Sequence, residues 1–493
     1  MTTYRDIFQK INNIPRPSHH EEKIADFLCN FAEEHSLVYR RDAHNNVVIE
    51  KPASAGYENH DTVVLLNHMD MVCVAKPGKD FNPLTDPIEA IVYNGNGNDN
   101  GKTWMKANGT SLGADNGIGL SMALAILADN TLQHPALEVL TTTNEEDGMT
   151  GAANLSPDFI RGRKVINLDS EAYDEITTAS AGAIIQQATL PITKIGVPKG
   201  YHAYTVTATG GKGGHSGVDI NKGRANAIKV LANLLLVAIR QCNIKLYVVD
   251  FNGGQAAASI PSEAKARIVI PKENCTDFLT LVAQCNYALI KQYADTDPDM
   301  IIHAEPSIWQ GSVMSEESTQ VLLASINAVP VGVLQESPTE KELPLTSNNI
   351  GKVYTTGTGT ITGNGTGSSV NLEFHTRSFI DSEMRRIAGE IEKIYHLVGA
   401  KVEKVMESPS WVESDTTLLN LTTEVFQDVL GFSPKPVSMH FVLEAGFFVN
   451  KFPGIHIVSI GPRILEPHST NERVDLSTCD DIWRVTLELL RKL

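Results

Sequence analysis

The chain has 493 residues, with 42% hydrophobic and 20% charged side chains and a formal net charge of -17. That is enough for a large core shared between domains, with little disorder beyond short loops. The acidic balance argues against nucleic acid or an anionic membrane as partner, since both bind basic patches, and it also suits plain solubility. The cysteines (Cys29, Cys73, Cys242, Cys275, Cys285 and Cys479) include no Cys-x-x-Cys pair and are too sparse for a disulfide framework. Buried thiols in a reducing compartment fit them. The opening Met-Thr-Thr-Tyr-Arg-Asp-Ile-Phe lacks the apolar stretch of a signal peptide. The most apolar run, Leu120 to Ala128, falls well short of the ~20 residues that span a bilayer. A cytoplasmic protein is expected.

The first third alternates helix and strand. Ser18 is placed to cap a helix from His19 to about Glu34, with Glu21 and Glu22 in its first turn. Asn46 to Lys51 reads as a short strand. Thr62 to Leu66 is a continuous apolar run, as expected of a strand covered on both faces, and it ends at His68. Gly117 to Asn130 reads as a helix. Leu137 to Thr142 is a second buried strand, ending at Glu145, and Lys164 to Leu168 a third, ending at Asp169. Sites in open α/β sheets form at the carboxyl ends of strands, where three of these residues lie.

A different pattern begins near Gln186. Tyr201 to Thr209 alternates apolar and polar residues, as a half-covered antiparallel strand does. A helix follows over about Lys222 to Gln241, then strands near Lys245 to Phe251 and Ala264 to Ile270. A second round has helix at Thr319 to Ala328, strands at Lys352 to Thr360 and Ser369 to Arg377, helix at Ser382 to Leu397 and strand at Lys401 to Met406. Two such rounds suggest a duplicated α+β unit. The Gly/Thr-rich stretch Thr355 to Gly367 lacks the Lys and the helix of a phosphate-binding loop and reads as strand edges with a turn. From about Pro409 the α/β pattern returns, with helix at Leu418 to Leu430, strands at Lys435 to Met439 and Ile455 to Ile460, and a closing helix at Asp480 to Leu493.

His68, Asp115, Glu146, Asp169 and His468 supply two imidazoles and three carboxylates. That is the inventory for two zinc ions sharing one carboxylate, and it points to a metal-dependent hydrolase. Asp70, two residues after His68, suits the carboxylate that fixes a ligand imidazole's tautomer. Asp115, in Gly113-Ala-Asp-Asn-Gly117, serves equally as a helix cap. Of the adjacent Glu145 and Glu146, one can coordinate while the other acts as general base. Glu171 is an alternative to Asp169. His440 and His456 lie in or near strands and suit packing or support. His215, in Gly213-Gly-His-Ser-Gly217, is either part of a glycine-rich hairpin turn or an imidazole that stabilises an oxyanion. Arg377, at a strand end, is a candidate clamp for a substrate carboxylate.

Taken in order, His-Met-Asp-Met, Leu-Gly-Ala-Asp-Asn-Gly-Ile-Gly, Glu-Glu, Asp-Ser-Glu, Gly-Gly-His-Ser-Gly and the late Pro-His-Ser resemble the M20 family of zinc peptidases. Within it they resemble the bacterial aminoacyl-histidine dipeptidases, which share the opening Ile-Pro-Arg-Pro-Ser. The resemblance implies a two-domain α/β zinc-peptidase architecture. A mixed-sheet catalytic domain, 1–185 and 408–493, would carry an inserted α+β lid, 186–407, expected to be a duplicated ferredoxin-like unit. It implies hydrolysis of dipeptides with a free N-terminus, with a deacylase or carboxypeptidase acting on N-acyl amino acids as the alternative. A non-catalytic binding protein on the same scaffold is the more distant one. His68, Asp115, Glu146, Asp169 and His468 would hold two Zn2+ (or Mn2+ or Co2+), with Asp115 bridging. Asp70 would orient His68, Glu145 would be the general base, and His215, Arg377 and Glu444 would contact the peptide. A homodimer is among the assemblies the resemblance allows. Two departures stand out. Ala258 replaces an Asn of the family's Asn-Ala-Ile-Pro, and Val442 replaces the Gly of its His-Ala-Gly-Leu-Glu. Altered specificity is expected from these, with metal binding retained.

Overall fold

A computed structural model describes residues 3–95, 101–357 and 368–493. The chain forms two compact units. One contains Met1–Ser180, Trp411–Ser438 and Leu443–Leu493, and the other Ala181–Ser410 and Met439–Val442. Among the described residues, no helix is long and apolar enough to cross a membrane.

The first unit is built on a mixed sheet. Its strands run in the order Val38–Arg41, Val47–Lys51, Leu137–Thr142, Val63–His68, Lys164–Asn167, His456–Ser459, Glu175–Ser180 and Trp411–Val412, and Lys435–Met439 pairs with Glu175–Ser180 off that path. Val63–His68 is parallel to both its neighbours, and His456–Ser459 is parallel to Lys164–Asn167. Their apolar runs are continuous because both faces are covered. Val63 and Leu65 enter one core with helices Tyr4–Asn12, Glu22–Glu34, Ala114–Ala128 and Leu476–Lys492. Val64 and Leu66 enter another with Phe159, Trp411, Phe447 and Phe448. Helix Ala114–Ala128 is buried on nearly every side, which explains its Ala/Leu composition. A Cβ on Gly119 would lie 2.4 Å from the Leu168 carbonyl oxygen, so glycine is what lets the helix approach the sheet there.

The second unit holds a sheet ordered Ile301–Ser307, Tyr201–Thr209, Ala264–Pro271, Tyr247–Gly253, Pro344–Thr356, Ser369–Ser378, Gly182–Pro191 and Lys401–Ser408. It resolves into two units of one topology. In the first, Tyr201–Thr209, helix Ala227–Arg240, Tyr247–Gly253, Ala264–Pro271, helix Cys275–Gln292 and Ile301–Ser307 form β-α-β-β-α-β, with the fourth strand beside the first and the third between first and second. The second has the same order: Gly182–Pro191, helix Glu316–Ala328, Pro344–Thr356, Ser369–Ser378, helix Asp381–Leu397 and Lys401–Ser408. The first is nested between the first strand and first helix of the second. The two meet edge to edge where Gly253 pairs with Val353.

Several expectations need correction. The second helix begins at Glu22, not His19, and Ser18 does not cap it; the Ser18 hydroxyl donates to Asp70 instead, at 2.7 Å. Asp115 does not cap with its side chain either: helix Ala114–Ala128 is kinked at Asp115, which is non-helical with ψ 113°, and its two oxygens face His68 and His468 instead. The strand expected at Lys352 to Thr360 begins at Pro344 and ends at Thr356, and residues 358–367 of the Gly/Thr-rich stretch lie outside the described residues. Helix Cys275–Gln292, whose apolar residues are interrupted by Thr, Asn and Gln, is not among the elements expected from the sequence.

Candidate active site

The parallel strands end at one edge of the first unit's sheet, and the chemistry collects there. His68 is the last residue of its strand and is 1% exposed. Its Nε2 lies 3.0 Å from Asp115 Oδ1 and 3.2 Å from Asp169 Oδ1, and its Nδ1 lies 3.5 Å from Asp70. His468, in a left-handed conformation at φ 57°, places Nε2 3.1 Å from Asp115 Oδ2 and 2.8 Å from Glu146 Oε2. The two oxygens of Asp115 therefore face different imidazoles, each of which faces a second carboxylate of its own. The Asp115–Asn116 peptide is cis. Glu171, the alternative to Asp169, is only partly buried and lies near Asp115.

Asp70 does more than face His68. It accepts the backbone N–H groups of Glu145, at 3.1 Å, and Glu146, at 3.3 Å, together with the Ser18 hydroxyl. Glu21 accepts the N–H of Asn144 at 3.0 Å, so buried carboxylates hold the Glu145–Glu146 turn from two sides. Glu444 is buried, with Oε2 taking a hydrogen bond from Thr142 at 2.8 Å and Oε1 without a partner.

Carboxylates outnumber imidazoles in this cluster, and the electrostatics follow. Burial, and then the charges of Asp169, Glu146 and Glu444, push Glu145 well above the usual carboxylate range against the pull of His68. Burial pushes Asp169 up to about 7 and Glu444 up to about 8. Asp115 goes the other way: burial opposes ionisation, but hydrogen bonds from His468 and His68 hold its carboxyl well below the usual range. Burial disfavours the His468 imidazolium, yet Asp115 and Glu146 raise it to about 11. Such crowding of buried negative charge calls for cations. The donors suit a metal: one ligand atom each from His68, Asp115 and Glu146 falls within 4.8 Å of the others. Buried Glu146 Oε1 also lacks a hydrogen-bond partner. Imidazole nitrogen with carboxylate oxygen is a zinc-type set.

The second unit carries its own polar cluster. Arg377 is 3% exposed, its Nε has no partner, and the closest hydrogen-bonding contact of its Nη2 is His375 Nδ1 at 3.5 Å. Burial brings the guanidinium down to about 9. Burial and then the Arg377 charge lower His215 to about 4 and His440 to about 3, and push His375 well below its usual value. His215 Nδ1 accepts the N–H groups of Gly217 and Val218, at 3.3 and 3.2 Å, which leaves the ring proton of the neutral imidazole on Nε2 as a donor. The glycine-rich segment is not a hairpin: Gly214–His215 is a short strand paired with the distant Ser259–Ile260, and the chain turns only after it, at Ser216–Val218. His440 is buried on Ser347 at 2.7 Å, while His456 faces Glu413 at 3.1 Å. At the departure Ala258, the carbonyl accepts from the Ser216 N–H at 2.7 Å.

Sequence reasoning did not find Arg16, Ser18, Thr142, His375 or Glu472 as parts of these clusters. Arg16 and Ser18 stood only within the Ile-Pro-Arg-Pro-Ser segment, and Glu472 follows His468 by four residues without any motif.

An α/β sheet whose strand ends gather paired imidazoles around one carboxylate, beside a buried glutamate, defines a metal-dependent peptidase. The chain belongs to peptidase family M20/M25/M40, whose sequence model matches residues 64–492. It is 35% identical over 491 residues to the cytosol non-specific dipeptidase of Escherichia coli, covering 99% of this chain and 97% of that protein. It is also similar to the crystal structure of aminoacylhistidine dipeptidase from Vibrio alginolyticus, with TM-score 0.85 and 33% identity over 99% of this chain and 96% of the other. The aminopeptidase PepT from Bacillus cereus shares the fold at TM-score 0.57 and 17% identity, over 99% of this chain and 97% of that one.

Proposed function

We propose that this chain is a dipeptidase that hydrolyses dipeptides with a free N-terminus, Xaa-His among them, at a two-zinc centre. The observation that carries the reading is Asp115, whose two oxygens face His68 and His468 separately. In this reading His68, Asp115 and Asp169 would hold one ion and His468, Asp115 and Glu146 the other, with manganese or cobalt as substitutes. Bound there, zinc would supply Lewis-acid chemistry, acidifying a water and polarising a carbonyl.

The chain's own groups do the rest. Asp70 orients His68. Glu145, beside the ligand Glu146, takes a proton from the attacking water and returns it to the leaving amine. Glu444 offers its unpartnered oxygen to the substrate ammonium. Arg377, a buried cation with no carboxylate partner among the described residues, suits a terminal carboxylate, and the His215 Nε2–H suits a developing oxyanion. A cytosolic location, which the free cysteines suit, and a homodimer belong to the same proposal.

The test is a zinc-loaded panel of Xaa-His, Gly-Gly-type, β-alanyl-His and N-acetylated substrates. Cleavage of the free-amine members alone is expected. Cleavage of the acetylated members alone would move the protein to the deacylases.

A further inference from the structure

Three segments that carry the proposed metal ligands converge on a pair of buried, oppositely charged side chains that hydrogen-bond to backbone groups of those segments. Arg16 is 1% exposed. Its Nη1 donates to the carbonyl oxygens of Met69, at 3.1 Å, and Asp70, at 2.8 Å, and its Nη2 to that of Gly113, at 2.6 Å. Glu472 is 2% exposed and accepts the N–H groups of Leu112, at 2.7 Å, Gly113, at 2.9 Å, and Ala114, at 2.8 Å. The Gly113 peptide segment is thus held from opposite sides, its carbonyl by a guanidinium and its N–H by a carboxylate.

The local sequence is cleared for this arrangement. A Cβ on Gly113, which has φ +66°, would lie 2.5 Å from Arg16 Nη2, and one on Gly117 would lie 2.7 Å from the same atom. The Arg16 carbonyl in turn accepts the N–H of Met71 at 3.1 Å, which ties its own strand of chain to the His68 loop.

We infer that Arg16 and Glu472 form a positioning clamp that sets the spacing of His68, His468 and the bridging Asp115. The clamped carbonyls of Met69 and Asp70 follow His68 directly. Gly113 and Ala114 directly precede Asp115, and Glu472 lies one turn of chain after His468. A planar guanidinium with a fork of fixed donors can hold carbonyls from two loops at once, which an ammonium on a flexible stem does poorly. The same holds for ligand-supporting groups generally, whose loss weakens metal binding by about 10–100-fold. The inference rests on the metal-site reading given above.

The test uses the full-length protein and the variants Arg16→Lys and Glu472→Gln. Zinc affinity is measured by competition with a chromophoric chelator, melting is recorded with zinc and with excess chelator, and kcat and KM are measured on one dipeptide. Each variant is expected to bind zinc at least about 10-fold more weakly. Its zinc-dependent rise in Tm should shrink, and kcat should fall with KM little changed. Unchanged zinc affinity in a folded variant, or an equal Tm loss with and without zinc, would reduce the pair to a fold-stabilising role and overturn the inference. If Arg16→Lys does not fold, Glu472→Gln, which keeps an acceptor and the side-chain shape, decides by the same readings. Wild-type protein that binds no zinc would overturn the metal reading itself.

Discussion

Replacing Arg377 by Met should stabilise the fold while crippling the enzyme. The guanidinium is buried, its Nε is unpartnered, and its Nη2 faces the His375 ring. Burial brings it from the ordinary 12.5 to about 9, which corresponds to about 5 kcal/mol of penalty on the charged form. Methionine fills much of the same volume without that penalty, and exchanging a poorly paired buried charge for an apolar side chain gains about 1–4 kcal/mol in comparable cases. Substrate-free Arg377→Met protein should therefore melt no lower than wild type, and a few degrees higher by calorimetry. Activity should move the opposite way. Two charge-assisted bonds to a carboxylate are worth about 1.5–3 kcal/mol each, so kcat/KM on a dipeptide should fall by about 10²-fold or more. A dipeptide amide supplies the other arm of a double-mutant cycle. Wild type should lose a similar factor on the amide, and the variant little further. A variant that is clearly less stable, or whose loss on the amide adds in full to the mutation's loss, would refute the argument that this cation exists for the substrate's carboxylate.

Glu145→Gln should lower kcat by about 10²-fold or more while zinc stays bound, the usual range for removing a general base; titration of bound zinc beside turnover checks both halves. Removing metal with a chelator should abolish turnover and lower the melting temperature of the first unit, because the folded state loses a ligand it alone binds and Asp115, Glu146 and Asp169 are left with only the two imidazoles to offset them. The second unit should lose stability as pH falls from about 6.5 towards 4. His215 and His440, lowered to about 4 and about 3, stay neutral in the fold while the unfolded chain takes up protons below about 6.5. Hydrogen exchange of residues 181–410 at pH 7 and pH 5 measures that loss, and Arg377→Met should reduce it. Phe448→Ala should destabilise the first unit by about 3–5 kcal/mol, as loss of a fully buried phenyl ring does, which denaturant melts will show.

The strand-end residues were legible from the chain alone. A run such as Val63 to Leu66 must be covered on both faces, because an exposed apolar strand has no stable place in water, and covering it forces a parallel α/β sheet whose ends gather His68, Glu145 and Asp169. The alternation in Tyr201 to Thr209 likewise marked the antiparallel region, and its two rounds announced the repeat. What periodicity does not encode is pairing between distant segments. That strand Gly182–Pro191 belongs to the outer repeat, beside Ser369–Ser378 and Lys401–Ser408, follows only from closing the chain around the inner one. The electrostatic design is tertiary for the same reason. Ser18 looked like a cap because capping is local, but its hydroxyl reached Asp70, which the fold brought closer than any helix N–H. Arg16 and Glu472, 456 positions apart in sequence, oppose each other across Gly113 only after folding. Arg377 became a functional candidate of weight once burial had stripped it of water and left it beside neutral imidazoles. Sequence determines which groups are available and at which strand ends; their charge state and partners depend on desolvation, which exists only in the packed molecule.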